Sequence, residues 1–418
     1  MAAAAEGGSH IQNARRLRYK ESDRLQGIAG LLNSLGGCLT VDGDGLLIHG
    51  VSHLQGGTVD PMGDHRLAMS AALAALSADA PVTVRDADCV SKSYPAFWAI
   101  LERRSAMSST IGDTLRLTLF GRSHGPVIGM TLAGIPAGKA LSPAALQAFL
   151  DRRAPGRSPL STARREADVP RFLSGLNGGV TTGEDITAVI ENTDVRSADY
   201  EMLSAVPRPG HADYTAYVKY GRIEPGGGPF SGRMTAALCI AGGICLQLLE
   251  QAGISVLSRI RSIGPVNDRG QLLSSTADKP FPVVDEAQGE AMAQAILEAK
   301  AAGDSLGGVI ECRILGVPAG VGGPLFDGLE SRLSAAVFGI PAVKGIAFGS
   351  GFASARLRGS ENNDPFVLDD NGKIVTETNH CGGILGGIST GMCIDFRVAI
   401  KPTPSITLPQ RSVDLKKM

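Results

Sequence analysis

The chain has 418 residues, 43% of them hydrophobic, with 40 Lys+Arg set against 41 Asp+Glu. That length suits two or three domains with a sizeable core, and the balanced charge excludes a globally basic nucleic-acid binder, so any basic character is local. Glycine is abundant at 54 residues while aromatic residues make up 5% with one Trp, a composition that argues against base stacking on exposed rings.

The start, MAAAAEGGSH, lacks the basic and apolar regions of a signal peptide. No run reaches the ~18 consecutive apolar residues of a membrane-spanning helix, so neither a membrane nor a nucleic-acid partner is expected. Cys38, Cys89, Cys239, Cys245, Cys312, Cys381 and Cys393 fall mostly in apolar runs with no Cys-x-x-Cys spacing. They read as buried, reduced thiols of a cytoplasmic protein and not as a metal site or disulfide frame. Residues 22–35 predict a helix: Ser22 can cap it, apolar side chains recur at Leu25, Ile28, Leu31, Leu32 and Leu35, and Gly36-Gly37 stops it. Strands follow near 38–41 and 45–48, then a helix in DHRLAMSAALAALSADA, a strand in PVTVRDA and a helix in YPAFWAILERR. These make an α/β unit. Beyond it, Met107 stands where a start methionine would, ahead of a polar lead and a fresh strand pattern. The chain therefore reads as two proteins joined end to end, with domains at 1–105 and 106–418.

In the second part, strands are expected near 113–120 and 127–132, a helix at 142–153, loops over 154–184 and a strand at 186–191. The longest helical candidate is 230–253, followed by a strand at 254–261. A helix at 286–302, a strand at 308–315, a helix at 326–338 and strands near 344–348 and 392–400 complete the pattern, with a polar excursion over 265–285. This half is α+β, because helices and strands alternate without strict βαβ order.

Three features carry chemistry. DRRAPGRSPLSTARREADVPR (151–171) holds Arg152, Arg153, Arg157, Arg164, Arg165 and Arg171 and no lysine. A solvated basic loop is the plain reading. A site for a small polyanion is the sharper one, since the guanidinium fork grips phosphate and carboxylate in pairs. His124 in GRSHGPVIG and His211 in VPRPGHADY both sit in glycine- or proline-bounded turns, the rigid setting a proton-transfer group needs. PGGGPFSGRMT (225–235) opens onto the longest helix and offers backbone N–H groups to a phosphate, as do the loops NHCGGILGGISTG (379–391) and KPTPS (401–405).

Together these residues resemble chorismate synthase. The markers run from about Thr110 to Ile406: Ser-His-Gly at 123–125, Asp-Arg-Arg with Pro-Gly at 151–156, Arg-Arg-Glu at 164–166, Asn-Thr-Asp at 192–194, Arg-Pro-Gly-His-Ala-Asp-Tyr at 208–214, Gly-Ser-Glu-Asn at 359–362 and Gly-Gly-Ile-Leu-Gly-Gly-Ile-Ser at 382–389. Residues 15–104, through RYKESDRL, DHRLAM and SKSYPAFW, resemble the carboxyl-terminal quarter of EPSP synthase, 3-phosphoshikimate 1-carboxyvinyltransferase.

The resemblance implies a β-α-β sandwich preceded by a partial α/β domain. It implies an anti-1,4 elimination of phosphate from 5-enolpyruvylshikimate-3-phosphate to give chorismate, with reduced FMN, NADPH as a possible reductant, and a homotetramer. It assigns catalysis to His124, as the acid for the leaving phosphate, and to His211 beside the flavin. Flavin contacts fall on Arg153, Pro229, Phe230, Ser231, Pro341, Ala342, Gly386, Lys401, Pro402, Thr403, Pro404 and Ser405. Substrate contacts fall on Arg152, Arg157, Arg165 and Arg233. In the first part, Lys20, Glu21, Arg24, Arg66 and Lys92 match positions that grip phosphoenolpyruvate or the shikimate phosphate.

There are departures. Pro229-Phe230 stands where many members have Arg-Ser, and Pro159 where many have a second loop arginine, for which Arg157 is the substitute. Many members continue past the position of Met418 with an Arg-His-Asp-Pro segment and a final helix, so the expectation is a truncated chain with weak flavin binding and little turnover. A bifunctional fusion and a non-catalytic anion-binding module are the alternatives.

Overall fold

The computed structural model describes residues 3, 7–51, 53–75, 77–95, 97–98, 109–154, 156, 160, 166–192, 205–415 and 417. The chain divides into two compact units, residues 1–107 and 108–418.

The first unit contains β1 (Gly8–Ile11), α1 (Arg24–Ser34), β2 (Cys38–Asp42), β3 (Gly45–His49), β4 (Gly57–Val59), α2 (His65–Ala75) and β5 (Val82–Val84). β1, β3 and β2 form an antiparallel sheet in that order, and β4 pairs with β5 in parallel. Helix α1 serves two cores. Leu25 and Ala29 pack with Leu39, Leu46 and Ile48 of the sheet, while Leu31 and Leu35 pack with Leu67 and Ala71 of α2 and Val59 of β4. β1 escaped the sequence reading because all four of its residues are exposed, so it carries no apolar alternation.

The cap of α1 is Asp23, whose carboxylate accepts the N–H groups of Leu25 and Gln26. This corrects the expectation of Ser22, whose hydroxyl donates instead to Asp64 at 2.8 Å. The helix expected over 94–104 lies largely outside the described residues. Ahead of it, a 3-10 turn at Ala87–Lys92 packs on α2, and Trp98 Nε1 donates to Ala87 O at 2.8 Å.

Asp64 organises this unit. It is fully buried and accepts from Ser22, from Arg24 Nε at 2.8 Å and from the Arg66 N–H at 2.9 Å. Burial alone would raise its pKa, but the bonds from Arg24, Ser22 and the Arg66 backbone outweigh that and lower it from 3.8 to about 2. A depressed carboxylate stabilises the fold above its unfolded pKa, and that contribution is lost as pH falls through the folded value. Asp64→Asn is therefore expected to cost about 3–5 kcal/mol at neutral pH, the cost of stranding one partner of a buried pair. The deficit should shrink as pH falls from 3.8 toward 2, where wild-type Asp64 also loses its charge. Urea titrations read by the fluorescence of Trp98, the single tryptophan, would measure it.

The second unit is built on two antiparallel sheets. The first uses β6 (Ser109–Ile111), β7 (Arg116–Gly121), β8 (Val127–Ala133), β9 (Arg171–Ser174) and, after the hairpin β10 (Leu176–Asn177) with β11 (Val180–Thr181), β12 (Ile186–Glu191). Their order is β6-β7-β8-β12-β9. The second uses β13 (Ser255–Ile263), β14 (Val266–Asn267), β15 (Gly308–Leu315) and β16 (Val343–Phe348). After the hairpins β17 (Phe366–Leu368) with β18 (Ile374–Thr376) and β19 (Ile384–Leu385) with β20 (Ile388–Ser389), it closes with β21 (Ile394–Ile400), in the order β14-β13-β15-β21-β16. The main helices are α3 (Pro143–Arg153), α4 (Asp213–Tyr220), α5 (Thr235–Gln251), α6 (Glu286–Ala301) and α7 (Leu329–Phe338), with a single turn α8 (Gly359–Asn362). The architecture is an α+β sandwich.

Helix α5 buries Ala236, Ala237, Ile240, Ala241, Gly243 and Ile244 against Ile128, Met130 and Leu132 of β8 and Ile186, Ala188 and Ile190 of β12. Gly243 lets α3 approach closely, since a Cβ there would press on Leu146 and Phe149. The segment Gly232–Gln251 is 20 residues long, long and apolar enough to cross a membrane by length and composition. Its packing on the first sheet accounts for that apolar content as core. Helix α7 covers the other sheet, with Leu329, Leu333 and Val337 against Ile394, Phe396 and Val398. All seven cysteines are free; Cys38 is exposed, contrary to the expectation of burial, and Cys89 is buried. Burial pushes the Cys312 thiol up to about 11.

Candidate active site

β7 ends at Gly121 and the chain turns through Arg122–Gly125 into β8, with the Gly125 N–H donating to Arg122 O at 3.0 Å. Ser123 is completely buried at this turn. Its N–H donates to Gly228 O at 3.3 Å and its hydroxyl donates to Gly226 O at 3.2 Å. The same Oγ lies 3.1 Å from His124 Nδ1. A hydroxyl has one proton; with it given to Gly226, Oγ accepts from Nδ1–H, which sets the tautomer of the neutral ring.

The glycine loop lies against both imidazoles. Gly226, Gly227 and Gly228 have φ of 58°, 83° and 50°, the left-handed region that glycine occupies without strain. A Cβ on Gly226 would overlap the His124 ring, and a Cβ on Gly227 would sit 2.7 Å from His211 Cε1. Consecutive residues of one loop thus touch two imidazoles that lie far apart in sequence. Gly226→Ala is expected to leave the fold intact by circular dichroism while lowering kcat by about 10²-fold, the scale for displacing a reacting group by roughly 1 Å. Equal turnover in the variant would contradict this placement of His124.

His211 is fixed from behind. Its Nδ1 lies 2.7 Å from Asp213 Oδ1, at the start of α4. Asp213, 3% exposed, also accepts from Arg208 Nε at 2.7 Å, Arg208 Nη2 at 2.9 Å and the Arg208 N–H at 3.0 Å. Burial would raise the Asp213 pKa, but the bonds from Arg208 and His211 hold it well below the usual carboxylate range. Asp213 therefore stays an acceptor and holds the Nδ1–H tautomer, while Arg208 Nη2 lies 3.5 Å from the other ring nitrogen, Nε2. The turn carrying His211 rests on the 401–405 segment: Lys401 Nζ donates to Gly210 O, and a Cβ on Gly210 would lie 3.2 Å from Pro404. Lys401 N–H in turn donates to Ala342 O at 2.9 Å, which brings Pro341-Ala342 to the same end of the second sheet.

A buried ionic cluster supports the other side. Arg153, at the end of α3, pairs with Asp168 and donates to Thr235 Oγ1 at 3.2 Å. Asp168 also pairs with Arg233, and Arg233 Nε lies 2.8 Å from Glu166 Oε2 and 3.2 Å from Asn192 Oδ1. Arg233 is 5% exposed, so the guanidinium expected to meet substrate is enclosed by two carboxylates.

The structure brings His124, His211, Pro229, Phe230 and Ser231 to the glycine loop, and Lys401, Pro404 and Ala342 to the His211 turn. Ser231 Oγ caps the 3-10 turn Gly232–Met234. That turn runs directly into α5, so the long helix does not present the open N-terminus that the sequence pointed to. Arg152 is exposed and stacks over Phe149 at 5.7 Å. Thr403 and Ser405 are exposed beside Pro402. Gly386, at the tip of the β19–β20 hairpin, is not part of this group: its neighbour Gly387 accepts from the first N–H of α7, while Pro341-Ala342 follow the far end of that helix, about 15 Å away at 1.5 Å per residue. Arg157 and Arg165 lie outside the described residues.

Asn192, Asp213, Glu224, Glu166 and Asp168 were not singled out as site residues. Glu224, 4% exposed, receives Arg222 Nε at 2.6 Å and faces Arg122 at 3.6 Å. In the first unit, Arg24 is 8% exposed and engaged by Asp64 and Glu21, while Lys20, Arg66 and Lys92 are exposed.

Two imidazoles, each fixed at Nδ1, lie against one glycine loop of an α+β sandwich with cationic groups at hand, the arrangement of an enzyme that acts on an anionic substrate. Residues 115–418 match the family model "Chorismate synthase", and residues 1–101 match that of "EPSP synthase (3-phosphoshikimate 1-carboxyvinyltransferase)". Among curated relatives, chorismate synthase of Lancefieldella parvula is 46% identical over 334 residues, covering 75% of this chain and 87% of the relative. That of Korarchaeum cryptofilum is 47% identical over 311 residues, covering 73% and 86%. A crystal structure of chorismate synthase aligns with TM-score 0.57 at 30% identity, covering 69% of this chain and 86% of that one. The chain belongs to the chorismate synthase family, lyases that eliminate phosphate from 5-enolpyruvylshikimate-3-phosphate to form chorismate with the help of a reduced flavin.

Proposed function

We propose that in this chain His124 is the general acid for the departing phosphate and His211 is the imidazole beside the flavin. The observation that carries this reading is the contact of Gly226 and Gly227 with the two rings. Ser123 holds Nδ1–H, so His124 acts as the acid in its imidazolium form, whose Nε2–H passes to a phosphate oxygen, makes the leaving group less basic and leaves the neutral Nδ1–H ring. His211, held by Asp213 at Nδ1, holds or donates a proton through Nε2, which has Arg208 Nη2 at 3.5 Å and faces the same loop. The substrate has a phosphate and two carboxylates, and Arg152 and Arg153 at the end of α3 supply positive potential toward it.

The residues present fit an FMN. Lys401 with the exposed hydroxyls of Thr403 and Ser405 is a donor set suited to a phosphate, and it lies against the His211 turn. Ser231, Pro341 and Ala342 would complete the contacts, while Pro229 offers no backbone N–H. Reduced FMN, when bound, supplies electron density transiently to the substrate. NADPH as the reductant, assembly as a homotetramer and a cytoplasmic location belong to the same reading. Anaerobic mixing of NADPH with the FMN-loaded protein, followed at the flavin absorbance, tests the first.

His124→Asn and His211→Asn are each expected to lower phosphate release from 5-enolpyruvylshikimate-3-phosphate by about 10²–10⁴-fold, the range of a general acid–base contribution. Wild-type turnover in both would overturn the assignment. For residues 1–101, the engagement of Arg24 by Asp64 and Glu21 favours no carboxyvinyl transfer. The purified chain is expected to show no turnover of shikimate-3-phosphate with phosphoenolpyruvate, and measurable product would contradict this.

A further inference from the structure

We propose that Asn192 is a positioning residue for His124, coupling the buried Arg233 cluster to the turn that carries the acid. Asn192 follows the last residue of β12. Its Nδ2 donates to Arg122 O at 3.0 Å and to Gly125 O at 2.8 Å, the two carbonyls that bracket Ser123 and His124. Its Oδ1 accepts from Arg233 Nε at 3.2 Å, and its own N–H donates to Pro126 O at 3.0 Å. The amide orientation is determined by chemistry. Reversed, it would set Oδ1 against two carbonyl oxygens and its N–H groups against a guanidinium, neither of which can bond.

The side chain therefore reads both ends of the turn at once. A peptide turn with φ/ψ freedom at Gly125 could open by rotating either carbonyl, and each rotation would break a bond to Asn192. The anchor is rigid in turn. Arg233 is held by Asp168 and Glu166, and Asp168 by Arg153. Fixing the turn fixes the ring, because Ser123, whose Oγ sets the His124 tautomer, is the residue next to Arg122. Asn192 touches no reacting atom in this account; it acts through His124.

The inference rests on the reading of His124 as the acid, and a double-mutant cycle separates the two. Asn192→Ala in the full chain is expected to lower kcat for phosphate release by about 10²-fold with KM within about 3-fold. In the His124→Asn background the same substitution is expected to change kcat by less than about 2-fold, since a residue acting only through His124 has nothing left to position. Thermal midpoints of the four proteins show that the comparison is made on folded enzyme. Should the alanine variant not fold, Asn192→Ser, with its smaller polar side chain, takes its place in the same cycle. Multiplying losses in the two backgrounds, or an undiminished kcat in the single Asn192 variant, would overturn the positioning role while leaving His124 in place. An unimpaired His124→Asn enzyme would instead remove the reading of His124 itself.

Discussion

A guanidinium cannot be buried alone, and the second unit is arranged around one that is buried. Removing Arg233 from water carries a desolvation cost of several kcal/mol that only close, well-directed carboxylates offset. Asp168 provides the hydrogen-bonded one and Glu166 a second negative charge 2.8 Å from Nε, and Asp168 is enclosed at a φ of 49°, a left-handed conformation that Asp tolerates better than most residues. Once these groups are fixed, Arg153 at the end of α3 and Asn192 at the end of β12 have defined partners. Two separate elements are thereby tied to the segment that precedes α5.

That segment is the glycine loop. Three successive residues with positive φ let the backbone lie against both imidazoles: a Cβ on Gly226 or Gly227 would collide with a ring, and one on Gly228 with Glu224. The loop is therefore wall and spacer at once. Ser123 bonds to it from one side, and the Asp213–Arg208 pair holds His211 toward it from the other. In the function proposed above, imidazoles placed by packing in this way need no rearrangement when the substrate arrives, which is where most of their catalytic value would lie.

Much of this was legible in the sequence, for identifiable reasons. The strand Gly308–Leu315 and helices α3 and α6 follow apolar periodicity and caps, and the two histidine turns are marked by glycine and proline. What was not legible depended on distant pairing. Glu166 and Asp168 read locally as counter-charges to the arginine loop, whereas Asp168 meets Arg233, 65 positions away. Asn192 reads as a strand end, and only the fold sets it beside Arg122 and Gly125. Helix α4 was missed because Tyr214, Tyr217 and Val218 face outward and blur its periodicity. β9 was missed because it is a short edge strand inside a loop-rich stretch.

The central claim is that His124 and His211 serve one bound substrate. Diethyl pyrocarbonate labelling, read residue by residue by mass spectrometry with and without 5-enolpyruvylshikimate-3-phosphate and FMN, tests it directly. The account predicts that the two ligands together protect both histidines and leave the exposed His53 reactive. Protection of one imidazole with undiminished labelling of the other would contradict it.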